Sequence, residues 1–133
     1  MGYGKLKLDL TYSANADYTP DELPDIAALT FTASKHLVMK GIALTDASQA
    51  NTIDLVTFTT VKYVIVHNTG TTNECYVTWA PASVVGGGAV STQATSVAAE
   101  SVLIIPGVTV TNDLVLDCAS GETTTADVYV LGT

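Results

Sequence analysis

Hydrophobic and polar residues alternate along much of this chain. Leu6, Leu8, Leu10 and Tyr12 fall on one side of residues 5–12, and Lys5, Lys7, Asp9 and Thr11 on the other. A period of two gives a segment one core-facing and one water-facing side, so 5–12 is predicted as a half-buried strand. Leu29 to Ala33 reads the same way. Residues 37–44 are apolar but change phase at Gly41, which predicts a strand interrupted by a bulge or bend. Thr52 to Phe58 is a further expected strand. Val61 to His67 is a continuous β-branched and aromatic run, closed by the turn-forming cluster Asn68 to Asn73. Cys75, Val77 and Trp79 then alternate with Glu74, Tyr76 and Thr78, which predicts a β-hairpin with a longer loop. Ser101 to Ile105 forms another run and ends at Pro106-Gly107. Leu114, Leu116 and Cys118 alternate with Asp113, Val115 and Asp117. After a turn expected over Gly121 to Thr125, Val128 and Val130 alternate with Asp127, Tyr129 and Leu131.

The breaks are equally legible. Residues 13–26 contain Pro20 and Pro24 and the acids Asp17, Asp21, Glu22 and Asp25. Thr19 to Glu22 resembles a helix start, but Pro24 stops it within a turn, so a loop is expected. Asp46 to Asn51 reads as a polar loop. Residues 81–100 are rich in Gly, Ala and Ser around Gly86-Gly87-Gly88, and read as a long loop holding at most one short strand. About eight strands at spacings of about 8–14 residues, without helices between them, predict an all-β antiparallel β-sandwich or barrel. A parallel sheet needs crossover helices. One domain is expected over 1–133, with 1–4 as an N-terminal arm.

Composition supports strands and narrows function. Apolar residues make up 47% of the chain and the mean hydropathy is +0.35, too apolar for disorder. Much of this is Val and Ile interleaved with Thr, which pack well on pleated surfaces. A chain of 133 residues buries roughly two-thirds of its unfolded surface, enough for a two-layer core. Thirteen acids against five lysines and no arginine give a net charge of −8. Such a chain lacks the cations that neutralise phosphates, so nucleic acid and anionic membrane are not expected partners. No apolar stretch approaches the length of a membrane span. Neither a secretory leader nor a myristoylation pattern follows Met1, and a soluble protein is expected.

Candidate chemistry is thin. His36 and His67 lack a nucleophile context such as Gly-x-Ser-x-Gly, and they read as surface or turn residues. Cys75, Cys118 and the histidines lack zinc-ligand spacing. The acids of 13–26 match no EF-hand pattern, so a solvated loop is expected there. Asp113 and Asp117, four apart on a strand, are expected about 13 Å apart, too far for paired-carboxylate glycosidase work. The triple glycine lacks the remainder of a phosphate loop. Cys75 and Cys118 both fall on inward faces; buried thiols are the expected state, with a disulfide the alternative. Trp79, in phase with Val77, is expected as a core anchor rather than a sugar platform. No catalytic residue, cofactor or metal is predicted, and the chain is not expected to be an enzyme.

The second half carries a recurring order of strands and turns: Lys62 to Gly70, Cys75 to Trp79, Glu100 to Gly107, Asp113 to Ala119, and Ala126 to Gly132. Over roughly residues 61–133 this resembles the small jelly-roll or β-sandwich capsid decoration (cement) proteins of tailed bacteriophages. The resemblance implies a jelly-roll-like sandwich and a structural virion protein. It also implies a homotrimer on the outer capsid surface, made in the host cytoplasm and bridging subunits of a major capsid protein. The segments with least internal order of their own are the expected partner contacts: Met1, Gly2 and Tyr3, with Tyr18, Asp21 and Glu22 in the 13–26 loop. The alternative is a tail-fibre, receptor-binding or carbohydrate-binding sandwich, with Tyr12, Tyr18, Tyr76 or Trp79 lining a groove.

Overall fold

The structure is a computed structural model that describes residues 3–6, 29–45, 51–82, 92–111 and 113–133. Among them are ten strands and no helix: β1 (Tyr3–Leu6), β2 (Leu29–Thr32), β3 (Lys35–Thr45), β4 (Asn51–Ile53), β5 (Val61–Asn68), β6 (Cys75–Trp79), β7 (Gln93–Val97), β8 (Val102–Pro106), β9 (Leu114–Asp117) and β10 (Thr123–Gly132). The backbones of β1 and β2 pair antiparallel as a small two-stranded sheet, with Tyr3 opposite Thr32.

The other eight strands form two four-stranded antiparallel sheets, ordered β3-β10-β5-β8 and β4-β9-β6-β7. Counted within the sandwich, the first sheet takes its first, eighth, third and sixth strands. The second takes its second, seventh, fourth and fifth. This is the order of a jelly roll, in which the chain passes repeatedly from sheet to sheet. The inward sets predicted by alternation on β6, β9 and β10 meet between the sheets, joined by alternate residues of the continuous run in β5. Val64, Val66, Val128 and Val130 come from one side, and Cys75, Val77, Leu114 and Leu116 from the other; all eight are fully buried. Leu44, Leu55 and Phe58 extend this core.

The phase change at Gly41 is a bulge. Val128 pairs with Met39 and Ala126 with Ile42, so Lys40 and Gly41 together oppose Asp127. Gly41 has φ +63°, the left-handed region open to glycine. Its N–H donates to the Asp127 carboxylate at 2.8 Å, which fixes the kink.

Several expectations are corrected. The Val61–His67 and Cys75–Trp79 strands do not form a hairpin: β5 pairs with β10 and β8, and β6 with β7 and β9. Residues 69–74 instead carry the chain between sheets. The strand expected over 52–58 ends at Ile53. There the Asp54 carboxylate accepts the Val56 N–H at 2.7 Å and the Leu55 carbonyl accepts from Phe58, turning the chain. The turn expected at 121–125 is shorter, because Thr123 already pairs with Thr45. The N-terminal strand expected at 5–12 is described only as Tyr3–Leu6; residues 7–12 lie outside the described residues. The Gly-rich 81–100 region contains β7, and its triple glycine is outside the described residues.

Candidate functional site

The residues singled out for chemistry do not converge. His67 is half-buried on β5 opposite Asp127, whereas His36 is exposed on β3 opposite Leu131. Leu131 is in turn opposite Tyr63, four residues from His67 on β5, so roughly 13 Å of strand separates the two histidine rows. Asp113 and Asp117 flank the buried Leu114 and Leu116 on β9 and are both exposed. Among the described residues, no three His, Cys, Asp or Glu side chains are grouped as metal ligands require. A shallow groove of about 300 Å³ is lined by Ser34, Lys35, His36, Leu37, Thr57 and Phe58. The Lys35 ammonium donates to the Thr57 carbonyl there, and the lining includes no carboxylate to pair with His36.

Cys75 and Cys118 are brought together. The β6–β9 register sets Tyr76 against Asp117, and Cys75 and Cys118 are the next residue along each chain segment. Both are buried thiols not joined by a disulfide. Burial, then the neighbouring Cys118 and Asp117, pushes the Cys75 thiol up to about 11. Such a thiol stays protonated and behaves as a small apolar group.

Asn68 has a role that its turn signal did not reveal. It is fully buried. Its amide donates to the Asn73 and Val97 carbonyls, both at 2.9 Å. Its oxygen accepts from the Gly70 N–H at 3.1 Å and the Thr124 hydroxyl at 2.8 Å. Four bonds saturate the side chain, so Asn68 ties β5 to β7 across the sandwich and offers nothing to a ligand. Among the described residues, no buried side-chain nitrogen or oxygen lacks a partner.

What remains is surface. The two sheets differ sharply in what they turn outward. On β4-β9-β6-β7 the outer positions are Thr52, Val115, Asp117, Tyr76, Thr78, Ala94 and Ser96, mostly small or polar. On β3-β10-β5-β8 the registers align Val38, Tyr129, Ile65 and Ile104 in one row across all four strands. The row on one side holds His36, Leu131, Tyr63 and Pro106; the row on the other holds Asp127, His67 and Val102. Val38 is 47% exposed and Val102 54%. An apolar row on the outer face of a sandwich departs from the usual alternation, in which that face is polar.

The expected partner contacts are mostly not placed. Met1, Gly2, Tyr18, Asp21 and Glu22 lie outside the described residues, and Tyr3 is placed as backbone in β1. Of the aromatics proposed for a groove, Tyr12 and Tyr18 are outside the described residues. Trp79 packs against the core, while Tyr76 points outward from the same strand, so these two do not share a groove. Comparison with family models, curated proteins and solved structures finds no match.

Proposed function

We propose that this chain is a structural virion protein, a capsid decoration module seated on the outside of a phage head. It would bridge neighbouring subunits of the major capsid protein, most simply as a homotrimer, and act without catalysis or cofactor. The observation that carries the reading is the jelly-roll strand order combined with an outer sheet face built of apolar rows. Jelly rolls recur in capsid proteins, but also in lectins and cupins. The apolar rows favour a protein that works through contact area. Charge agrees with an outer location: an acidic chain without arginine has little affinity for packaged nucleic acid. Many weak copies on a lattice hold together by multivalency.

The test is co-sedimentation of the purified protein with empty heads assembled from the major capsid protein of the same genome. The expected result is saturable binding at a fixed ratio of copies per capsid subunit, with no signal on a glycan array. Binding to glycans without binding to heads would overturn the reading.

A further inference from the structure

We infer that the outer face of the β3-β10-β5-β8 sheet is the surface through which copies of this chain associate with one another. This deepens the proposed function by naming the face that joins the copies, and it rests on that reading only for the biological setting.

Three observations carry it. The first is sequence. A strand covered on one side alternates, whereas one covered on both reads as a continuous apolar run. β5 includes Val64, Ile65 and Val66, β8 includes Leu103, Ile104 and Ile105, and β10 includes Val128, Tyr129, Val130 and Leu131. Within one molecule their inner residues meet the second sheet, and Ile65, Ile104 and Tyr129 face the other way. These strands have the composition of strands packed on both sides.

The second is area. Four strands about 4.8 Å apart and averaging eight or nine residues give this face a footprint of roughly 500 Å² before side-chain relief is added. A standard interface takes about 800 Å² from each partner, so the face supplies most of one side.

The third is charge. Copies of a chain with net charge −8 repel wherever their acids meet. Of the four described lysines, Lys5 lies on β1, Lys35 and Lys40 on β3 and Lys62 on β5. The Lys35 ammonium is held by the Thr57 carbonyl, which leaves Lys40 and Lys62 exposed on this sheet. The one described acid of this sheet, Asp127, is engaged by the Gly41 N–H and the Tyr129 hydroxyl. The six others are Asp54, Glu74, Glu100, Asp113, Asp117 and Glu122. Asp117 lies on β9 and the other five lie in connections, Glu100 two residues before β8 and Glu122 directly before β10. Among the described residues, the face therefore has an apolar centre with Lys40 and Lys62 beside it, and the acids other than Asp127 lie off its four strands. Copies arranged around a rotation axis can adjoin apolar rows while these two lysines meet a neighbour's acids.

Sedimentation velocity and native mass spectrometry of the purified chain test this without any capsid, so its failure and that of the capsid reading are separable. The wild type is expected to form a discrete oligomer. The double variant Val38→Glu/Val102→Glu, at half-exposed positions, should raise the dissociation constant at least a hundredfold with the circular dichroism spectrum unchanged. Val56→Glu, 70% exposed and outside this face, should leave assembly as it was. Tyr129→Ser removes the central ring without adding charge and gives a second readout should the glutamates disturb folding; it too should weaken assembly at least tenfold. A wild type that is monomeric at about 100 μM overturns the inference, even if it binds heads. So does an oligomer that survives the face variants, or one that Val56→Glu dissolves equally well.

Discussion

Asn68 shows how one polar residue can specify the join between two sheets. Its four hydrogen bonds reach the 69–74 connection, β7 and β10. Replacing it by alanine leaves the Val97 carbonyl and the Thr124 hydroxyl each short of a bond in a dry interior, and unmade buried bonds cost more than made ones gain. Asn68→Ala is expected to lower unfolding stability by about 3 kcal/mol, read as a lower urea midpoint at unchanged slope. Asn68→Asp should fare no better, since it turns a donor toward two carbonyls into a charged acceptor. A loss below about 1 kcal/mol in both would mean that water substitutes for the side chain. The sequence marks this position as a turn residue, and so it is. What alternation does not disclose is that the side chain points inward, because an Asn before a Thr-Gly turn is equally at home in water.

At the scale of the element, β3 was legible in unusual detail. The slip between Leu37/Met39 and Ile42/Leu44 required an odd residue, and glycine at the slip point identified which one. The bulge then explains why Ile42 and Leu44, rather than Gly41 and Ala43, continue the inward row begun by Leu37 and Met39. Gly41 has open space where a Cβ would be, so substitution costs backbone conformation alone. Gly41→Ala is expected to destabilise by about 1 kcal/mol, measured by chemical denaturation. Gly70 is a contrasting case, because a Cβ there collides with the Thr124 hydroxyl beside Asn68. A Gly41→Ala loss several times larger would mean that the kink, rather than one residue's backbone preference, holds β3 on β10. β4 was less legible: Thr52 to Phe58 has strand-like composition, but Asp54 captures a backbone N–H two residues on and ends the strand.

At the scale of the whole molecule, strand existence was readable and strand partnership was not. Alternation reports which way a side chain faces, not which strand lies beside it. Proximity along the chain therefore suggested a β5–β6 hairpin, whereas the jelly roll places these strands in different sheets. The outer apolar face was hidden for the same reason, since a row across four strands exists only once their registers are known. The strand that closes the fold comes last. β10 lies between β3 and β5, and Thr133 beyond it exchanges backbone bonds with Thr60 and accepts another from Thr59. Removing residues 123–133 would strip both neighbours of a full ladder and take Ala126, Val128 and Val130 out of the core. Because the contacts of β10 join the end of the chain to its middle, nothing local can replace them. The truncated chain is expected to lose its cooperative thermal transition and its dispersed amide spectrum. A peptide of residues 123–133 supplied in excess should restore both in part, by adding a strand to the gap between β3 and β5. A truncated chain that still melts cooperatively would show that the first sheet does not depend on its central strand, and the β3-β10-β5-β8 order would have to be abandoned.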